Sequence, residues 1–105
     1  MIANTPKPPY YTVIFSSQLH HESPEYEKIA QRMIDLVKLQ PGFLGFESLR
    51  DSNGFGMTIS YWSSLEAILG WQQNHDHQEA QEKGRKLWYK NYKIRICKVE
   101  RDYEM

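Results

Sequence analysis

Six segments of alternating character divide this chain, and their order limits the fold more than any other feature. Tyr10 to Ser17 (YYTVIFSS) is rich in β-branched and aromatic residues and reads as a first strand. Ser23-Pro24 then starts a helix. Serine caps it, and proline takes the first helical position, where a missing N–H costs nothing. Tyr26, Ile29, Ala30, Met33 and Val37 recur at helical spacing until Gln40-Pro41-Gly42 stops the pattern. Phe43 to Arg50 is a second strand, and Phe55 to Trp62 a third. Between them Asp51-Ser52-Asn53-Gly54 is a turn, its Asn-Gly pair suited to the positive φ values of tight hairpins. Strand periodicity puts Phe55, Met57, Ile59 and Tyr61 on one face of the third strand and Gly56, Thr58, Ser60 and Trp62 on the other. Ser63-Ser64-Leu65-Glu66 supplies a capping box for a helix from about Ser64 to Gln73. A further helix is predicted from about Asp76 to Lys90, and Tyr92 to Glu100 reads as a fourth strand.

Strand, helix, strand, strand, helix pair, strand is the split βαβ, ferredoxin-like α+β arrangement. It predicts a four-stranded antiparallel sheet with the helices of both crossovers on one face. The other face is expected to be open, with Thr58, Ser60 and Trp62 among its residues. Such a face is wetted, binds something, or pairs with another sheet. With 105 residues the chain is one domain, read as 10–105, preceded by a flexible N-terminal arm over 1–9 (MIANTPKPP).

Composition removes several function classes. Hydrophobic residues make up 40% of the chain, enough for a packed core. Thirteen Lys+Arg balance thirteen Asp+Glu, which argues against the strong positive field of a nucleic-acid binder. The third-strand run Asn53-Gly54-Phe55-Gly56-Met57-Thr58-Ile59-Ser60 carries the Gly-Phe-Gly core of the RNA recognition motif. It lacks that motif's basic first residue and its two further aromatic platforms. A single cysteine, Cys97, excludes an intramolecular disulfide and a cysteine-based zinc site. No apolar run approaches the roughly 18–20 residues that span a bilayer, and Met1 to Pro9 has no apolar core of a signal peptide. A cytoplasmic protein is the expectation. A domain of this size buries only about two-thirds of its unfolded surface, so self-association would help it.

Three passages then carry a family resemblance across roughly Tyr10 to Tyr103. Gln40-Pro41-Gly42-Phe43-Leu44-Gly45 leads into the second strand, Ser60-Tyr61-Trp62-Ser63-Ser64-Leu65-Glu66-Ala67 leads into a helix, and Trp71-x-x-Asn74-x-x-His77-x-x-Ala80 follows. In this order and spacing they resemble the antibiotic biosynthesis monooxygenase (ABM) family. The resemblance implies a dimeric α+β barrel, a homodimer whose two sheets pack face to face, with a pocket between each sheet and its helices. It also implies, for several members, oxidation of aromatic phenols by O2 with no metal or flavin; other members cleave haem. The haem-cleaving members use a strand-one Asn, a helical Trp and a His about ten residues later. Trp71 fits, but Gln81 stands ten residues on and strand one offers Ser16 and Ser17, so haem cleavage is disfavoured.

Seven residues could carry chemistry. His77, Ala80, Gly84 and Leu87, with Trp88 beside them, share one helical face that points at the core, whereas His75 points away into solvent. An inward His77 suits a general base for a phenol, and equally a structural histidine beneath the sheet. Trp71 could wall a pocket or anchor the core. Asn74, three residues on, could offer its amide to a substrate oxygen or cap the next helix. Trp62 and Tyr61 could line a cavity or simply pack. Arg85 and Trp88 could form a cation–π pair, or Arg85 could steer an anionic phenolate from the rim. His20-His21 lack a third ligand at metal spacing, and no metal is expected. An electron-rich phenolate can pass an electron to O2 directly, so no cofactor is expected either. The leading expectation is a cofactor-independent monooxygenase acting on an electron-rich aromatic or quinol. Its alternative is a non-catalytic small-ligand-binding or stress-related dimer. An enclosed, mostly apolar pocket of roughly 300 Å3 or more, with His77 in its wall, favours the enzyme, and a filled core favours the alternative.

Overall fold

The fold was read from a computed structural model. It describes residues 1–21 and 23–105; the side chain of His75 also lies outside the description, and with it the expectation that this histidine faces solvent. The elements are β1 (Tyr10–Leu19), α1 (Pro24–Val37), β2 (Phe43–Arg50), β3 (Phe55–Trp62), α2 (Leu65–Gln72), α3 (His75–Lys83), a π-helical turn (Gly84–Trp88) and β4 (Tyr89–Val99). The strands form one antiparallel sheet in the order β2-β3-β1-β4. This is the predicted ferredoxin-like α+β fold.

Local chemistry sets most boundaries. Ser23 caps α1, its Oγ accepting from the Tyr26 N–H at 3.1 Å, with Pro24 in the first turn. Ser64 does the same for α2 through the Ala67 N–H. The loop between β2 and β3 is a four-residue one. Asp51 Oδ1 accepts from the N–H groups of Asn53 and Phe55, and only Gly54 takes a positive φ, of 87°. Asn53 keeps a negative φ, so the turn is not the two-residue Asn-Gly hairpin.

Directly paired residues share a sheet face. Val13 lies opposite Ser60, Phe15 opposite Thr58, and Tyr11 opposite Trp62. These side chains lie on the helix side, where Trp62, Val37 and Ile68 form the buried core with Tyr11, Val13, Phe43, Ala67 and Trp71 packed around them. Trp62 is 0% exposed. The expectation that Thr58, Ser60 and Trp62 look out from the open face is therefore corrected. Both faces of β3 carry large apolar groups, so alternation alone does not choose the inward one. Trp62 can be sealed completely because its indole N–H donates to Ser60 Oγ at 2.9 Å. Burying such a side chain contributes roughly 1.5–3 kcal/mol.

The outward face carries Leu49, Phe55, Met57, Ile59 and Tyr61 instead. Leu49 is 84% and Phe55 47% exposed. At its other end the termini lie against the sheet. The Ala3 N–H donates to Glu47 Oε2 at 3.0 Å, and Tyr10 Oη donates to Asp102 at 2.5 Å while accepting from Thr5. No helix among the described residues is long and apolar enough to cross a membrane.

Candidate active site

A cavity of about 280 Å3 lies between the helix-side face of the sheet and the helices. Its floor includes Val13, Phe15, Phe46, Thr58, Ser60 and Ile94, and α1 lays Ile29, Ala30, Met33 and Val37 over it. These α1 residues are the apolar stripe read from the sequence. Trp71, His77, Ala80, Gln81, Trp88 and Tyr89 close the remaining wall.

His77 owes its place to the α2–α3 junction. Asn74 Oδ1 accepts from the N–H groups of Asp76 and His77, at 3.0 and 3.2 Å, capping α3. The capped turn lays the imidazole flat on the Trp71 indole, with ring centroids 4.1 Å apart and planes at 13°. His77 Nδ1 sits 2.9 Å from the Trp71 carbonyl oxygen. A carbonyl only accepts, so Nδ1 carries the proton and Nε2 keeps its lone pair. Nε2 has no hydrogen-bond partner among the described residues, and it is not sealed from its surroundings. Burial pushes the His77 pKa below the ordinary 6.5, with the Trp71 carbonyl acting weakly the other way. The ring at neutral pH is thus a neutral base in an aromatic wall.

Trp88, read beside the His77 face in the sequence, lines the same cavity, whereas Leu87 does not. A regular helix turns about 100° per residue, which already puts Gly84 and Trp88 near the His77 direction and Leu87 about 80° away from it. The π-turn is wider than an α-turn, so residues after Lys83 fall out of the 3.6 period. Leu87 is thereby 55% exposed, whereas Trp88 is 6% exposed and packs edge-on against Tyr26. Gly84 is buried against the Tyr89 ring, which a Cβ would meet at 2.7 Å.

The other expected residues lie elsewhere. Trp62 is in the core beneath Trp71, its ring stacked on it at 6.4 Å, and does not line the cavity. Asn74 is the α3 cap and is also absent from the lining. Tyr61 is on the opposite sheet face, where its hydroxyl donates to Glu47 Oε1 at 2.6 Å. Burial, with that bond, pushes the Tyr61 phenol up to about 12, and the same hydrogen bond holds the Glu47 carboxyl below its usual range. Arg85 is on the surface, paired with Glu82 rather than seated over Trp88. The described cation–π contact belongs to Arg50, whose Cζ sits 5.7 Å from the Tyr26 ring centre. Arg50, Tyr26 and Tyr89 line the cavity and were not singled out from the sequence as site residues. Alternation along β2 puts Arg50 on the face of Phe46 and Ser48, which was the available signal. No cluster of three metal-ligating side chains occurs among the described residues.

Residues 11–83 match the family model of antibiotic biosynthesis monooxygenases. The chain belongs to the ABM family. The match runs from β1 through α3, and so takes in Trp71, Asn74 and His77 but stops short of Trp88 and Tyr89. Among curated proteins, the chain is 49% identical over 100 residues to "Uncharacterized protein YqjZ" of Bacillus subtilis (strain 168), covering 95% of this chain and 88% of that protein. Among solved structures, SnoaB, a cofactor-independent oxygenase from Streptomyces nogalater, superposes with a TM-score of 0.77 at 16% identity. That match covers 90% of this chain and 97% of SnoaB. PA3566 from Pseudomonas aeruginosa superposes with a TM-score of 0.69 at 16% identity, over 92% of this chain and 98% of that one. At these identities the two structures speak to the ABM fold.

Proposed function

We propose that this ABM protein is a cofactor-independent monooxygenase, working as a homodimer in the cytoplasm, that oxidises an electron-rich phenol or quinol with O2 in the sheet–helix cavity. The observation that carries the reading is the His77 imidazole, stacked on Trp71 with Nδ1–H tied to a carbonyl and Nε2 left as the base. Family membership and the likeness to a cofactor-independent oxygenase support it.

The chemistry asks three things of the protein: hold a flat ring, take its proton, and limit water. Trp71 and Trp88 offer flat apolar walls. Nε2 accepts the phenolic proton, and the low pKa of His77 keeps it unprotonated for that task. The phenolate then gives one electron to O2, and the resulting radical pair combines at a ring carbon. Loss of water from that adduct leaves a quinone, one oxygen atom having entered the ring and the other having left as water. At about 280 Å3 the cavity falls just short of the usual range for ligand sites, about 300–1,000 Å3. It suits one or two rings. A second copy covering Leu49, Phe55 and Met57 accounts for their exposure on the outward face.

The test is oxygen uptake with 1,5-dihydroxynaphthalene, whose conversion to 5-hydroxy-1,4-naphthoquinone consumes one O2 and releases one water. The wild-type protein is expected to exceed the uncatalysed rate, and His77→Gln to lower kcat by about 100-fold or more. Uptake no faster than the uncatalysed reaction across a panel of one- and two-ring phenols, with binding intact, would leave a ligand-binding module instead. A His77→Gln protein of unchanged kcat would remove the histidine from the mechanism.

A further inference from the structure

We infer that Arg50 and Tyr26 form an acid-binding subsite at the end of the cavity remote from His77, so that the ligand is a slender aromatic carrying a carboxylate at the end away from its reacting phenol. The inference rests on the reading of the cavity as the ligand site, and goes beyond it by naming the substrate class.

The two ends are set by the sheet. His77 stacks on Trp71, and Trp71 on Trp62 at the last position of β3. Arg50 lies opposite Gly56, six positions earlier on the same strand, so the two groups belong to opposite ends of β3. The cavity is lined by both His77 and Arg50 and holds about 280 Å3, room for a slender ligand.

The chemistry of the Arg50 end is that of a carboxylate clamp. Nη1 donates to the Gly54 carbonyl at 2.7 Å and the Ser17 carbonyl at 3.3 Å. Nη2 donates to Ser17 Oγ at 2.8 Å and to Tyr26 Oη at 3.2 Å. All four acceptors are neutral, and no carboxylate among the described residues pairs with this half-buried cation. The Nε–H has no acceptor among the described residues. Tyr26 Oη accepts from Arg50 and also from Tyr89 at 3.4 Å, which leaves its own proton to give. Burial raises the Tyr89 phenol far above its ordinary range, so it stays protonated and adds no negative charge. The Arg50 Nε–H, the Tyr26 hydroxyl proton and a positive charge that no carboxylate among the described residues offsets therefore lie at one end of the cavity, a combination that favours an anion over a neutral group. The guanidinium is also fixed in place. It lies so close over Gly56 that a Cβ there would come within 2.4 Å of Arg50 Cζ.

The test compares two probes by isothermal titration calorimetry at pH 7.5. One is 6-hydroxy-2-naphthoate and the other 6-(hydroxymethyl)-2-naphthol, alike in ring and phenol but different in charge. The wild-type protein is expected to bind the acid about tenfold or more tightly. Arg50→Gln is expected to lose that preference, the acid and the neutral probe then binding with similar affinity. Equal wild-type affinities, no binding of the acid, or a preference that survives Arg50→Gln overturns the subsite. Should Arg50→Gln fail to fold, the Arg50 Nε–H resonance of the wild-type protein is followed as 6-hydroxy-2-naphthoate is added. A shift that saturates with the acid supports the subsite, and an unmoved resonance overturns it. Turnover is scored separately. Charge-selective binding without O2 uptake keeps the subsite and removes the oxygenase, and uptake without charge selection does the reverse.

Discussion

Replacing Asn74 separates two roles that the sequence leaves entangled. In the structure its Oδ1 accepts from two N–H groups at the start of α3, those of Asp76 and His77, and its side chain is absent from the cavity lining. Asn74→Ala leaves both donors without a protein partner at a helix end, where capping is worth about 1 kcal/mol, range roughly 0.5–2. In a domain of this size that is a fall in Tm of about 4 °C or somewhat more. Asn74→Asp keeps an oxygen in the same place and puts negative charge at the positive end of the helix, so its Tm is expected to stay within about 1 °C of wild type. A scan by circular dichroism reads both variants. Activity follows the same order if the cap acts by holding His77 against Trp71: the aspartate variant is expected to work and the alanine variant to be impaired. Equal destabilisation of the two variants refutes the capping account, and an Asn74→Asp protein that melts normally but no longer binds aromatics shows that the asparagine amide also serves the ligand.

The pH dependence of folding follows from His77. Its folded pKa lies below the unfolded 6.5, so the unfolded chain binds the proton first as pH falls. Its stabilising contribution is present above pH 6.5 and is lost as pH drops toward the folded value, and urea unfolding from pH 7.5 to 5 of wild type against His77→Gln reads the difference. Tyr61→Phe removes the hydroxyl that donates to Glu47 and is expected to cost about 1 kcal/mol in urea midpoints. The Glu47 pKa is depressed, so the penalty is expected to shrink as pH falls below its ordinary 4.5. Ile68→Ala empties a 2%-exposed core site and is expected to cost about 2–5 kcal/mol, whereas Leu69→Ala, at a 52%-exposed neighbour, is expected to cost under about 1 kcal/mol. Light scattering is expected to give twice the 12.5 kDa chain mass, and Leu49→Glu to shift it toward the monomer by charging the outward sheet face.

The order of elements was legible because turn and cap chemistry is local. Ser23-Pro24, Ser64 and the 51–54 loop place α1, α2 and the β2–β3 hairpin where side-chain oxygens meet backbone N–H groups. The inward face of β3 was not legible. Trp62 and Ser60 satisfy each other, so a tryptophan that reads as a surface aromatic becomes the most buried residue of the core. The outward place of Leu87 was also hidden, since the π-turn after Lys83 leaves no periodic trace, while Trp88 stays on the inward side where the sequence puts it. At the candidate site the family resemblance groups Trp71, Asn74 and His77, and the break between α2 and α3 at Asn74 is what lets His77 stack on Trp71. Arg50, Tyr26 and Tyr89 come from β2, α1 and β4, and long-range sheet register is what brings them together.

The account turns on the protonation of a single ring. Nitrogen-15 chemical shifts of the imidazole of His77, recorded at pH 7.5 with and without 1,5-dihydroxynaphthalene, report it without any need for turnover. The expected spectrum is a neutral ring with the proton on Nδ1 and a lone pair on Nε2, the Nε2 signal moving when the phenol binds. A proton on Nε2, or a doubly protonated ring at that pH, contradicts the proposed base.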